Sequence, residues 1–87
     1  MVSFECDSEK SVSNLNKHGI DFVEAQALWD DPDFIEIEAK SDIESRSLVI
    51  GHIGENIWSA IITYRNDNIR IISVRRSRKS EVTLYES

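Results

Sequence analysis

Residues 46–75 read RSLVIGHIGENIWSAIITYRNDNIRIISVR, and their periodicity decides the fold. Arg46 to Ile53 and Ile57 to Arg65 are two runs rich in β-branched residues around Gly51–Asn56, which predicts a hairpin. Asn66-Asp67-Asn68 supplies the next turn, since Asn and Asp tolerate positive φ, and Ile69 to Arg75 forms the following strand. Upstream, Phe34-Ile35-Glu36-Ile37-Glu38 alternates apolar with acidic, as a half-exposed strand does, and residues 40–45 form a polar loop. A short helix from about Ser77 to Glu86 closes the chain.

Before Pro32 the period is helical. Phe4-Glu5-Cys6 is a possible short strand, after which Asp7 or Ser8 caps a helix over about 8–18 with Val12 and Leu15 on one face. Lys17 and His18 lie in its last turn and Gly19 ends it, with Ile20 placed to fold back on Leu15. Asp21 and Glu24 form a capping box for a second helix carrying Phe22, Ala25, Leu28 and Trp29, which Asp30-Asp31-Pro32-Asp33 stops. The sum is an α+β domain over residues 1–87: two N-terminal helices, a four-stranded antiparallel sheet and a C-terminal helix.

The chain has 87 residues, enough for one core, and no apolar run approaches the roughly 20 residues of a membrane span. With no secretory signal and a single cysteine, Cys6, a reducing cytoplasm is expected, and Cys6 reads as a small core hydrophobe. The net charge of −6 is unevenly spread. Residues 1–44 hold 12 acidic and 3 basic side chains; residues 45–87 hold 4 and 7, six of the seven being Arg. Binding responds to the local field, so the acidic half suits a basic partner and the arginine half an anion.

The densest cationic signal is Arg75-Arg76-Ser77-Arg78-Lys79, at the junction of the last strand and last helix. Arg78 and Lys79 in a first helical turn oppose the helix dipole, and free N–H groups flanked by guanidiniums suit phosphate. Arg70 and Arg75 lie five apart on one strand and face opposite sides unless a bulge intervenes. Arg46 and Arg65 add charge, and His18, beside Lys17, is the candidate acid or base. His52 reads as incidental, and a Pro-containing turn explains Asp30, Asp31 and Asp33 better than a metal does. Phosphate-cradling Gly loops, zinc spacings, nucleophile elbows and helix-turn-helix signatures are missing, and no metal or cofactor is expected.

Phe4-Glu5-x-Asp7, Lys10, Asn14 and Lys17-His18-Gly19-Ile20-x-Phe22-x-Glu24-Ala25 open a pattern that spans nearly the whole chain. Asp31-Pro32, Glu44-x-Arg46, Ile50-Gly51, Arg70-Ile71-Ile72-Ser73-x-Arg75, Glu81 and Tyr85 complete it. In this the chain resembles the BrnT toxins of bacterial and archaeal BrnT/BrnA type II toxin–antitoxin systems. It departs at Cys6, where the family usually has Trp, and at Val74, where Ala is frequent. The resemblance implies a RelE-like fold and metal-independent RNA cleavage that inhibits translation. It also implies a ribbon-helix-helix antitoxin, with operator DNA bound only through the complex. On that reading Arg46, Arg70, Arg75 and His18 are catalytic candidates. Lys17, Arg65, Arg76, Arg78 and Lys79 are candidates for RNA phosphates, with Glu44 or Tyr64 as alternative acid or base. The second reading is a module that docks the antitoxin and co-represses transcription without cleaving RNA.

Overall fold

In the computed structural model the described residues are 3–39 and 45–87. They form β1 (Ser3–Glu5), α1 (Ser8–His18), α2 (Phe22–Ala25), a 3-10 segment (Gln26–Asp30), β2 (Ile35–Ala39), β3 (Arg46–Ile53), β4 (Asn56–Arg65), β5 (Asn68–Arg76) and α3 (Lys79–Glu86). The expected loop at 40–45 falls, apart from Ser45, outside the described residues, as does Glu44.

Local chemistry sets most of the boundaries. The Asp7 carboxylate accepts from the N–H groups of Glu9 and Lys10, and Gly19 ends α1 at φ 80° with its N–H on the Leu15 carbonyl. Asp21 caps α2 through the Glu24 N–H at 2.7 Å. The second helix is shorter than expected: one α turn tightens into the 3-10 segment, which carries Leu28 and Trp29. Gly54 (φ 62°) opens the two-residue turn between β3 and β4, while Asn66 (48°) and Asp67 (72°) make the turn between β4 and β5.

The sheet order is β1-β5-β4-β3-β2, with β1 parallel to β5 and every other pairing antiparallel. The expected four-stranded antiparallel sheet is therefore corrected to a five-stranded mixed one among the described residues. β1 was legible as a strand but not as a sheet member. Its partner Asn68–Arg70 lies more than sixty residues away, so no turn advertises the pairing.

One sheet face packs against α1, α2 and the 3-10 segment. Val49, Ala60, Ile62, Ile69, Ile71 and Val74 meet Ile20, Phe22, Ala25 and Leu28 there. Phe4, Trp29 and Phe34 extend this core, with Phe4 edge-on to Trp29 at 4.9 Å. Gly51 permits the close approach, because a Cβ there would stand 3.2 Å from Leu28 and 3.1 Å from the Asp31 carboxylate. On the other face α3 lies against β3, and Ile50 is fully buried.

The expected apolar stripe of α1 is not what the fold buries. Val12 and Leu15 are exposed, and Asn14 is buried. Among the described residues, no strand lies beside the outer edge of β5 beyond the end of β1. There the Asn14 carboxamide takes the strand's place: it donates to the Val74 carbonyl (2.9 Å) and accepts from the Val74 N–H (3.1 Å). Cys6 likewise lies exposed in the connector between β1 and the Asp7 cap, not in the core.

Candidate functional site

The register of β5 determines where the arginines point. Between Ile61 and Ile62 of β4 the pairing shifts by one residue, so Ser73 faces Ile61, Ile71 faces Ile62, and Ile72 is the extra residue of a bulge. Arg70 stands opposite Thr63 and Arg75 opposite Ser59. Thr63 and Ser59 are four apart on a regular strand, so both arginines face the same side, away from the α1–α2 layer. Arg65 shares that parity on β4. Arg46 shares it on β3, since it alternates with Leu48, the partner of Ile61. Four arginines from three strands thus lie on one face.

Arg75 is held in an ion pair. Its Nη1 and Nη2 each donate to one oxygen of Glu81 at 2.7 Å, and Glu81 also accepts from the Arg78 N–H (2.8 Å) and the Ser59 hydroxyl (3.0 Å). The Arg75 guanidinium, ahead of the residual cost of burial, holds the Glu81 carboxyl down to about 2. Arg75 is raised in turn by the same pair. This explains the dipole-opposing residues Arg78 and Lys79 at the start of α3: Glu81, in the first turn, returns a negative charge to that end.

A cleft of about 180 Å³ opens where α1 meets the β5 bulge. Lys10, Ser13, Asn14 and Lys17 line it from one stripe of α1, with His18 beside them, and Ile72 and Ser73 line it from β5. Lys17 and His18 therefore adjoin Ile72 and Ser73, two of the four residues between Arg70 and Arg75.

Other candidates fall elsewhere. Arg76 alternates onto the helical face, its guanidinium 5.6 Å over the Trp58 ring. Tyr64 also belongs to that face by parity, and its hydroxyl donates to both Glu36 oxygens (2.7 and 2.8 Å). Burial first, then that bond and the Glu36 charge, push the Tyr64 phenol up to about 12.

Sequence reading missed a cluster at the end of α3. The side chain of Asp31 is fully buried; it accepts from the Tyr85 hydroxyl (2.6 Å) and the His52 N–H (2.9 Å), with His52 Nδ1 3.0 Å away. Burial alone would raise Asp31, but Tyr85, the His52 and Asp33 N–H groups and the His52 ring lower it, while the bond to Asp31 pushes Tyr85 up to about 12. His52 is therefore part of the clasp that holds α3, not incidental. The available signal was the presence of both Asp31 and Tyr85 in the family pattern.

The described residues thus form a small mixed α+β fold with four arginines gathered on one sheet face. Residues 6–81 match the family model described as the ribonuclease toxin, BrnT, of type II toxin–antitoxin systems. The chain belongs to the BrnT family of ribonuclease toxins, which implies an RNA target and an antitoxin partner. A search of curated proteins found no match. Among the described residues no helix is long and apolar enough to cross a membrane.

Proposed function

We propose that the chain is a RelE-like endoribonuclease that cleaves RNA on the arginine-bearing face of its sheet and so inhibits translation, with the RNA 2′-OH as nucleophile and no metal required. The observation that carries this reading is the bulge at Ile72, which brings Arg70 and Arg75 onto the face that also bears Arg46 and Arg65. Arg70 and Arg46 contact the scissile phosphate and offset charge growing on its oxygens. Arg75, fixed by Glu81, offers its remaining donors from an unchanging position. Arg65, Arg78 and Lys79 hold flanking phosphates, and Lys17 steers the strand into the α1–β5 cleft. His18, at the mouth of that cleft, transfers the proton. It is preferred over Tyr64, whose hydroxyl is committed to Glu36 and whose proton is held to about 12.

The antitoxin is a ribbon-helix-helix protein that carries the complex to operator DNA. One observation favours a non-catalytic docking module instead: the fork of Arg75 is already filled by a carboxylate. The two readings separate on single-stranded RNA in EDTA. Cleavage by wild type, abolished in His18→Ala and Arg70→Ala proteins of unchanged melting temperature, supports the enzyme. No cleavage with or without magnesium supports the module, and activity that needs magnesium overturns the metal-free mechanism.

A further inference from the structure

We propose that the outer edge of β2, with the acidic cleft beside it, docks an extended basic segment of a partner protein by strand addition. β2 is the last strand of the sheet and pairs on one side only, with β3; among the described residues no strand covers its other edge. An uncovered edge offers N–H and C=O groups to an incoming strand. On the helical face, next to this edge, lies a cleft of about 490 Å³ lined by Glu36, Glu38, Ser45, Ser47, Thr63 and Tyr64. Among the described residues the lining contains two carboxylates and no basic side chain.

The spacing specifies the ligand. Glu36 and Glu38 are two apart on a strand, so they repeat at about 6.6–6.8 Å, the repeat of alternate side chains on an added strand. Tyr64 holds Glu36 in place by both oxygens. Ile35 and Ile37, half-buried, alternate with them toward the opposite face. The complementary segment therefore alternates basic with apolar residues. RNA is repelled by the carboxylates. A second copy adding edge to edge would bring the glutamates of two β2 strands together, which is unfavourable. The remaining occupant is a basic segment of another protein, and identifying that protein as the antitoxin rests on family membership, not on catalysis.

The probe is a short fluorescent peptide alternating lysine and valine, titrated onto the full chain without RNA, with amide NMR shifts recorded in parallel. Its twin carries N-methyl groups on alternate backbone nitrogens, which keeps the charges and removes the edge hydrogen bonds. The expected result is binding by the first peptide, with shifts centred on residues 35–39, and loss of binding by the twin. Glu38→Lys, which leaves the Glu36–Tyr64 contact intact, should weaken binding about tenfold while its RNA cleavage matches wild type. Equal binding by the twin, indifference to Glu38→Lys, shifts centred elsewhere, or no binding at millimolar peptide each overturns strand addition. Loss of RNA cleavage in wild type would sink the enzyme reading and leave this one standing.

Discussion

The two faces of the sheet carry clusters of opposite charge, arginines from β3, β4 and β5 on one and the glutamates of β2 on the other. On one lie Arg46, Arg65, Arg70 and Arg75; on the other, past the reach of the helices, lie Glu36, Glu38 and the Tyr64 hydroxyl. Tyr64 and Arg65 are neighbours in sequence yet belong to different surfaces. The lesson is that a net charge of −6 hides two surfaces of opposite sign, separated by strand parity as well as by distance along the chain.

Charge removal on the arginine face should have the largest consequence. Arg70→Ala is expected to lower RNA cleavage about 100- to 1000-fold, the usual cost of one preorganised donor to a transition-state oxyanion. Single-turnover cleavage at matched folded concentration measures it, and an unchanged rate would break the assignment of the active face. Next in size is the carboxylate embedded in that face. Arg75→Ala leaves Glu81 with a buried charge and half its hydrogen bonds, costing about 2–3 kcal/mol. That is below the range for a fully buried pair, because 25% of the Arg75 side chain is exposed. Urea denaturation reads this loss, and Arg75→Ala combined with Glu81→Gln should recover part of it.

Acid should act through the same pair. Glu81 has an ordinary value of 4.5 and is held at about 2 in the fold, so its contribution is complete above pH 4.5 and disappears as pH falls toward 2. Asp31, also lowered, adds to the same loss below the usual carboxylate range. Melting temperature should therefore drop through that window, and drop less steeply in Glu81→Gln. The smallest effect is expected across the sheet: Tyr64→Phe should change stability by only about 0.5 kcal/mol and leave RNA cleavage unaltered. A large loss of activity there would move the proton transfer from His18 to Tyr64.

The sequence declared what depends on neighbours. Asp7, Gly19, Asp21 and the Asn66-Asp67 pair act within a few residues, and each sits where its side-chain chemistry or tolerance of positive φ requires. What depended on distant partners stayed hidden. β1 found β5 across more than sixty residues, and Asn14 was buried because a strand edge elsewhere needed a donor and an acceptor. The site divided the same way. The Arg75–Lys79 run was plain, but its commitment to Glu81 needed the turn between β5 and α3 to close. Parity rules alone placed Arg70 and Arg75 apart, and one unpaired residue reversed the outcome.

That residue makes the fold unequally sensitive to two kinds of genetic change. Exchanging Ile72 for another side chain alters a half-buried contact and keeps the count of residues along β5. Losing its codon makes Ile71 and Ser73 neighbours, and they already pair with the neighbours Ile62 and Ile61, so the ladder becomes regular and Arg70 and Arg75 keep one face. An added codon there leaves two outcomes: either Arg75 turns toward the helical layer and Val74 toward solvent, or every residue downstream slides and α3 is pulled off its clasp at Asp31. The chain should accept many missense changes at this position and loss of its codon, but no in-frame insertion beside it.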